Sequence, residues 1–259
     1  MKKPQRQARQ VTDATNPQIS GEITESEIER QVVSAIAALK RRATKRTLDG
    51  MARFAIPADR AFGVTVADIR LLAKRLGRDH ALAGALWKSG WYEARMLAAF
   101  VAEPAKLTAA EMDRWCRDFD NWAICDTVCF HLFDRTPLAW KKLAPWSKRK
   151  PEFEKRAAFA LLWGLSVHDK EGPDASFIAG LRLVEAAAND DRNFVKKAVN
   201  MALRAVGKRN AALHGAAIAT GQSLTESANP TARWTGKGAL RELKSASVAR
   251  RLAAGKRTK

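Results

Sequence analysis

Trp122 and Asp126 stand four residues apart in the segment from Phe119 to Cys129, close enough to share one face of a helix. This sets an electron-rich ring beside a carboxylate, an odd pair for a packing face. Two readings are open. The pair faces a ligand, or Trp122 is a core residue beside an aspartate that caps or binds an arginine. Lys155 and Arg156 open the next Ala/Leu-rich helix, which a helical stack would set beside the one holding Asp126. Arg156 then either anchors the aspartate or holds a phosphate, because its planar fork fits the oxygens of both. A third segment, Asp190 to Arg204, places Asn193, Lys197 and Met201 on one stripe at four-residue spacing. Met201 also reads as a filler of core gaps.

Charge indicates the partner. Lys and Arg number 46 against 27 Asp and Glu, a net charge of +19. Residues 1–10 carry Lys2, Lys3, Arg6 and Arg9, and residues 250–259 carry Arg250, Arg251, Lys256, Arg257 and Lys259, with no acid in either stretch. Without those nine the remainder is still +10. A polyanion is the expected partner, either nucleic acid or an acidic surface. Cys116, Cys125 and Cys129 are odd in number, and no apolar leader precedes them. We therefore expect a reduced, cytoplasmic protein. Cys125, Cys129 and His131 could suggest zinc, but the spacing is helical and no second pair accompanies them. Buried apolar cysteines are the preferred reading. We expect no metal, no cofactor and no membrane span, and nothing calls for an oligomer, so a monomer is expected.

The elements that must position these residues are helical. Tyr occurs once, alternating β-branched runs are missing, and apolar residues recur at three and four positions. Ile28, Val32, Ile36 and Leu39 form one such stripe, and Ile69, Leu72, Ala73 and Leu76 another. Thr65, Asp79 and Thr108 read as helix starts, with Glu111 completing a capping box. Pro137, Pro151 and Pro173 sit where further helices would begin, and Gly207 and Gly221 read as stops. Five segments repeat a polar or basic start followed by a dense Ala/Leu helix: Glu93–Val101, Trp122–Leu132, Lys155–Leu165, Lys196–Val206 and Arg233–Leu243. Their spacing matches a HEAT-like helical-repeat solenoid, an all-α fold in which no hairpin buries its apolar face alone. We expect a disordered basic arm over 1–21, the repeat domain over 22–252 and a basic tail over 253–259. If the helix starts line up, Arg95, Lys155, Arg156, Lys196, Lys197, Arg233 and Lys237 form a positive groove. Any one of them alone reads better as a solvated surface charge; it is their recurrence at equivalent repeat positions that raises the group above that.

The order of the motifs then carries a resemblance. It runs from Gly63-Val-Thr with Arg70, through Trp91–Phe100 and Trp122…Asp126, to Lys155–Leu162, Asn193–Val199 and Arg233–Leu243. This resembles the DNA alkylation repair glycosylases of the AlkD family over roughly residues 25 to 252. The resemblance implies a HEAT-like solenoid gripping duplex DNA and releasing N3- and N7-alkylated purines. It also implies catalytic roles for Trp122 and Asp126 and a phosphate contact for Arg156. A second active-site tryptophan of that family corresponds by position to Met201, and Ala123 replaces an acidic residue common after the first. A thioether lines a slot but offers no aromatic face to a cation.

Such chemistry needs no general acid, because a purine alkylated at N3 or N7 is already a cationic leaving group. It needs an anion near the sugar and a positioned water, and Asp126 is the candidate for both. The helix starts suggest no deep pocket for a flipped base, and the resemblance implies another strategy, in which the lesion stays stacked while Arg156 and the lysines hold a distorted backbone. Two other readings remain. One is a DNA-binding solenoid of the same fold without cleavage, and the other is a HEAT scaffold for an acidic protein.

Overall fold

The computed structural model describes residues 24–256; the expected arm over 1–21 lies outside the described residues, as do the last three positions of the tail. The described chain is all helical. In order it forms α1 (Glu25–Lys40), α2 (Lys45–Met51), α3 (Val66–Leu76), α4 (His80–Lys88), α5 (Tyr92–Val101), α6 (Ala109–Arg117) and α7 (Trp122–His131). It continues with α8 (Ala139–Ser147), α9 (Glu152–His168), α10 (Asp174–Ala187), α11 (Asn193–Val206), α12 (Ala211–Glu226), α13 (Pro230–Leu243) and α14 (Ala246–Lys256). The last helix runs four residues past the expected boundary at 252. Among the described residues no helix is long and apolar enough to cross a membrane.

Side-chain caps set many of the starts. The hydroxyls of Thr65 and Thr108 and the carboxylate of Asp79 accept from the backbone N–H three residues on, and Glu111 returns a bond to the Thr108 backbone. Pro151 and Pro173 each occupy the residue just before a helix, and α8 begins two residues after Pro137. Gly207 terminates α11 as expected. Gly221 does not terminate a helix; it lies inside α12. Its reason is packing, since a Cβ there would sit 3.0 Å from Leu240 of α13. Opposite it, a Cβ on Gly236 would meet the Gly221 carbonyl at 2.6 Å, so the two glycines let the helix backbones close on each other.

The five recurrent segments are alternate helices of one layer. α5 packs on α7, α7 on α9, α9 on α11, and α11 on α13. Their starts are separated by 30, 30, 41 and 37 residues. A second layer runs through α8, α10 and α12. This is a HEAT-like repeat, and no hairpin is closed without its neighbours. Helix α9 lies at the centre and is buried from Arg156 to Leu162 without interruption. Removing the ring of Phe159 there should cost about 3–5 kcal/mol. All three cysteines are buried, and Cys125 and Cys129 approach the carbonyls of Phe153 and Ala157 on α9.

Candidate active site

Helix α7 carries Trp122, Asp126 and Phe130 at four-residue steps, one face of two turns. Asn121 fixes the start of that helix by accepting from the Ile124 N–H at 3.0 Å. The three side chains open into a cleft of about 580 Å³, lined also by Phe54, Tyr92, Arg70, His131 and Trp163. That volume lies in the range of small-molecule sites. The expectation was of no deep pocket for a flipped base; what the structure shows at this face is an open cleft. The strip between α2 and α3 was read for the Thr65 cap and the Gly63-Val-Thr motif but not for Phe54, which its fold sets as a wall opposite α7. The Trp122 indole N–H donates to the Phe54 carbonyl at 2.8 Å, so the catalytic candidate is itself part of that wall.

Asp126 lies on the cleft with its side chain 14% exposed. Arg156 reaches it from α9, and its Nε and one terminal nitrogen donate to the two carboxylate oxygens at 2.8 and 2.7 Å. The other terminal nitrogen donates to the Phe194 carbonyl on α11 at 2.6 Å. Burial pushes the Asp126 carboxyl above the usual carboxylate range, against the pull of Arg156. Burial also works against the charge on Arg156, but Asp126 outweighs it and holds the guanidinium above its ordinary value. Two of the carboxylate's lone-pair directions remain free of Arg156.

Of the two roles open to Arg156, the structure shows the pairing with Asp126: it is 6% exposed, and its fork lies on Asp126 and a carbonyl. The exposed cation at the cleft is Arg70 on α3. Its guanidinium lies 5.3 Å from the Phe100 ring and 3.3 Å from His131 Nε2. Burial, aided by Arg70, pushes His131 down to about 4, so at neutral pH the ring nitrogen accepts from Arg70.

Met201 is half-buried against the main core and does not line the cleft. The second indole of the cleft is Trp163 on α9, packed against Phe130 with ring centroids 4.2 Å apart and planes tilted by 31°. Reading the sequence missed it. The signal was there, because Trp163 follows Arg156 by seven residues and so shares its helix face.

The other basic candidates divide. Arg95 is spent on the Asp118 carbonyl at 3.1 Å and lies over the Trp87 ring at 5.2 Å. Lys155 pairs with Asp190 at 2.8 Å, and Arg233 donates to the carbonyls of Ser227 and Ala228 at 2.9 and 2.6 Å. These three are tied up by the fold because each follows the start of a helix closely and meets the preceding turn or a neighbouring acid. Lys197 and Lys237 are exposed, and Lys196 lies over the Trp234 ring at 5.6 Å.

Glu93 was read only as the start of a repeat segment. It is fully buried and accepts from the backbone N–H groups of Phe62, Gly63 and Val64 at 2.8–3.2 Å. Gly63 has φ of 84°, and a Cβ there would strike the Thr44 carbonyl at 2.6 Å. The loop before α3 is thus clamped from α5, which fixes the height of Arg70 and Val66 on the cleft rim.

The chain matches the sequence profile of a family described as DNA alkylation repair enzyme over residues 35–243. No curated protein matches it. A solved structure described as "A new family of proteins related to the HEAT-like repeat DNA glycosylases with affinity for branched DNA structures" is similar at a TM-score of 0.68 and 19% identity. The similarity covers 82% of this chain and 94% of that one.

Proposed function

This chain belongs to the DNA alkylation repair enzyme family, and we propose that it is a glycosylase hydrolysing the N-glycosidic bond of N3- or N7-alkylated purines in duplex DNA. The observation that carries this reading is Asp126, a buried carboxylate on the wall of an aromatic cleft, held in two hydrogen bonds by Nε and one terminal nitrogen of Arg156. The bond between the purine and deoxyribose C1′ breaks, and its electron pair neutralises the cationic base. C1′ is left with oxocarbenium character, which the Asp126 carboxylate stabilises. Water adds at C1′ and gives its proton to the carboxylate or to solvent. Trp122 and Trp163 present electron-rich rings to the cationic nucleotide, worth about 0.5–2 kcal/mol each. Selection then rests on the lesion's charge and lability, so neutral lesions are not cleaved. Arg70, exposed at the rim, is the cation placed to meet a backbone phosphate there.

The test is incubation of the protein with methylated duplex DNA and chromatography of free bases. We expect release of the methylated purines, and a loss of about 10²–10³-fold for Asp126→Asn with DNA binding retained. Unchanged release by that variant removes Asp126 from the mechanism.

A second reading keeps the departure at Met201, where the resemblance implies tryptophan, although in the structure that residue lies away from the cleft. The similar solved structure is described by its affinity for branched DNA. On this reading the chain binds DNA without cleaving it, and wild-type protein releases no base.

A further inference from the structure

A second cleft lies far along the repeat, between α11 and α13, and does not involve Asp126. It has a volume of about 290 Å³ and is lined by Trp234, Lys237, Arg241, Arg204 and Asn200. Trp234 is 47% exposed, whereas Trp87, Trp115 and Trp146 are 2% exposed or less. Leaving an indole in water forfeits the burial energy that makes tryptophan useful to a core. The surrounding sequence keeps it uncovered. A side chain one turn later leans back toward the helix N-terminus and would overlie the ring, but that position is Gly238. There a Cβ would also lie 3.0 Å from the Asn200 amide nitrogen, which donates to the Thr235 carbonyl at 2.9 Å. The bare backbone at Gly238 thus forms the floor of the cleft.

The charge around the ring is one-sided. Lys196 stands 5.6 Å from the ring centroid, and Lys237 and Arg241 are exposed along the α13 stripe. The one carboxylate lining the cleft, Glu242, is paired with both Arg204 and Lys208. Five cations therefore stand against a single acid. A free aromatic face flanked by cations is the pattern that receives a nucleobase by stacking while its phosphates are held. A paired base cannot use it, because both of its faces are already stacked in the duplex.

We infer that Trp234, with Lys196, Lys237 and Arg241, is a binding platform for an unpaired nucleotide of a DNA strand. The site serves DNA in which duplex meets single strand, and it stands whether or not Asp126 cleaves.

The test compares binding of the full-length protein to a blunt duplex and to the same duplex carrying a short thymidine tail, by fluorescence anisotropy. Wild type should favour the tailed DNA by about tenfold, within the range expected for one stacked base. Trp234→Ala should erase that preference while binding blunt duplex as wild type does, and Trp234→Phe should retain most of it. Trp234 is exposed, so the alanine variant should fold, and an unchanged Tm checks this. Base release by Trp234→Ala should equal wild type, which separates failure here from failure of the glycosylase reading. Absence of a tail preference in wild type overturns the proposal. So does a preference that survives in Trp234→Ala, or a loss that falls equally on blunt and tailed DNA. An effect of the variant on self-association alone would mark the patch as a contact between copies and overturn it as well.

Discussion

The guanidinium of Arg156 and the carboxylate of Asp126 lie 30 residues apart in sequence and meet in two side-by-side hydrogen bonds of 2.8 and 2.7 Å between neighbouring helices. Asp126 faces the cleft and Arg156 stands behind it. On the proposed reading the arginine orients the anion and favours its charged form from behind, without reaching substrate itself.

Removing Arg156 strands that carboxylate. Arg156→Ala should lower stability by about 3–5 kcal/mol, the usual cost of leaving a buried charge unpaired, and should reduce base release with it. Arg156→Lys should not restore release, because one ammonium cannot supply two parallel bonds. The salt slope of DNA binding should stay that of wild type for Arg156→Ala, whereas Arg70→Ala should lower it by about one phosphate contact. Binding titrations across salt concentrations check both. A flattened slope for Arg156→Ala would show that the arginine turns outward to DNA.

The raised pKa of Asp126 predicts an acid limb in the pH profile. The reactive form is the carboxylate, present above the folded-state pKa. Base release should therefore decline as pH falls through a value above the ordinary carboxylate range. Single-turnover release measured against pH reads this directly. A rate still flat where ordinary carboxylates protonate would exclude Asp126 as the anion.

On the proposed reading Trp163 faces the substrate and Met201 does not. Trp163→Ala should slow release of cationic purines by about 2- to 30-fold, the equivalent of one cation–π contact, with Trp163→Phe intermediate. Met201→Ala should leave release near wild type, because Met201 packs against the core away from the cleft. Comparing the two variants on one methylated duplex is sufficient. The reverse ranking would place the substrate on α11.

Glu93→Ala leaves the N–H groups of Phe62, Gly63 and Val64 without their acceptor. At about 1–3 kcal/mol for each buried unsatisfied group, a loss of at least about 3 kcal/mol is expected. In a chain of this size that lowers Tm by about 6–12 °C. Calorimetry measures the shift. A Tm within a degree of wild type would mean that the loop before α3 holds itself in place.

The sequence by itself determined the helices, their alternation and the Trp122–Asp126 pair. Each of these rests on local rules: caps at the N–H groups of a first turn, glycine after α11, and four-residue spacing on a face. The five Ala/Leu-rich segments emerged as one layer because a repeat must bury the same face each time. What only the tertiary structure decided was which side of each polar residue meets water. Arg156 and Arg70 look alike in sequence, yet one lies behind the cleft and the other on its rim. Trp163 and Met201 could not be ranked from sequence, since their distance from Asp126 depends on how α7, α9 and α11 stack. Glu93 gave no local sign of its partners, because the three N–H groups it binds lie about thirty residues upstream in a loop that only packing brings to it.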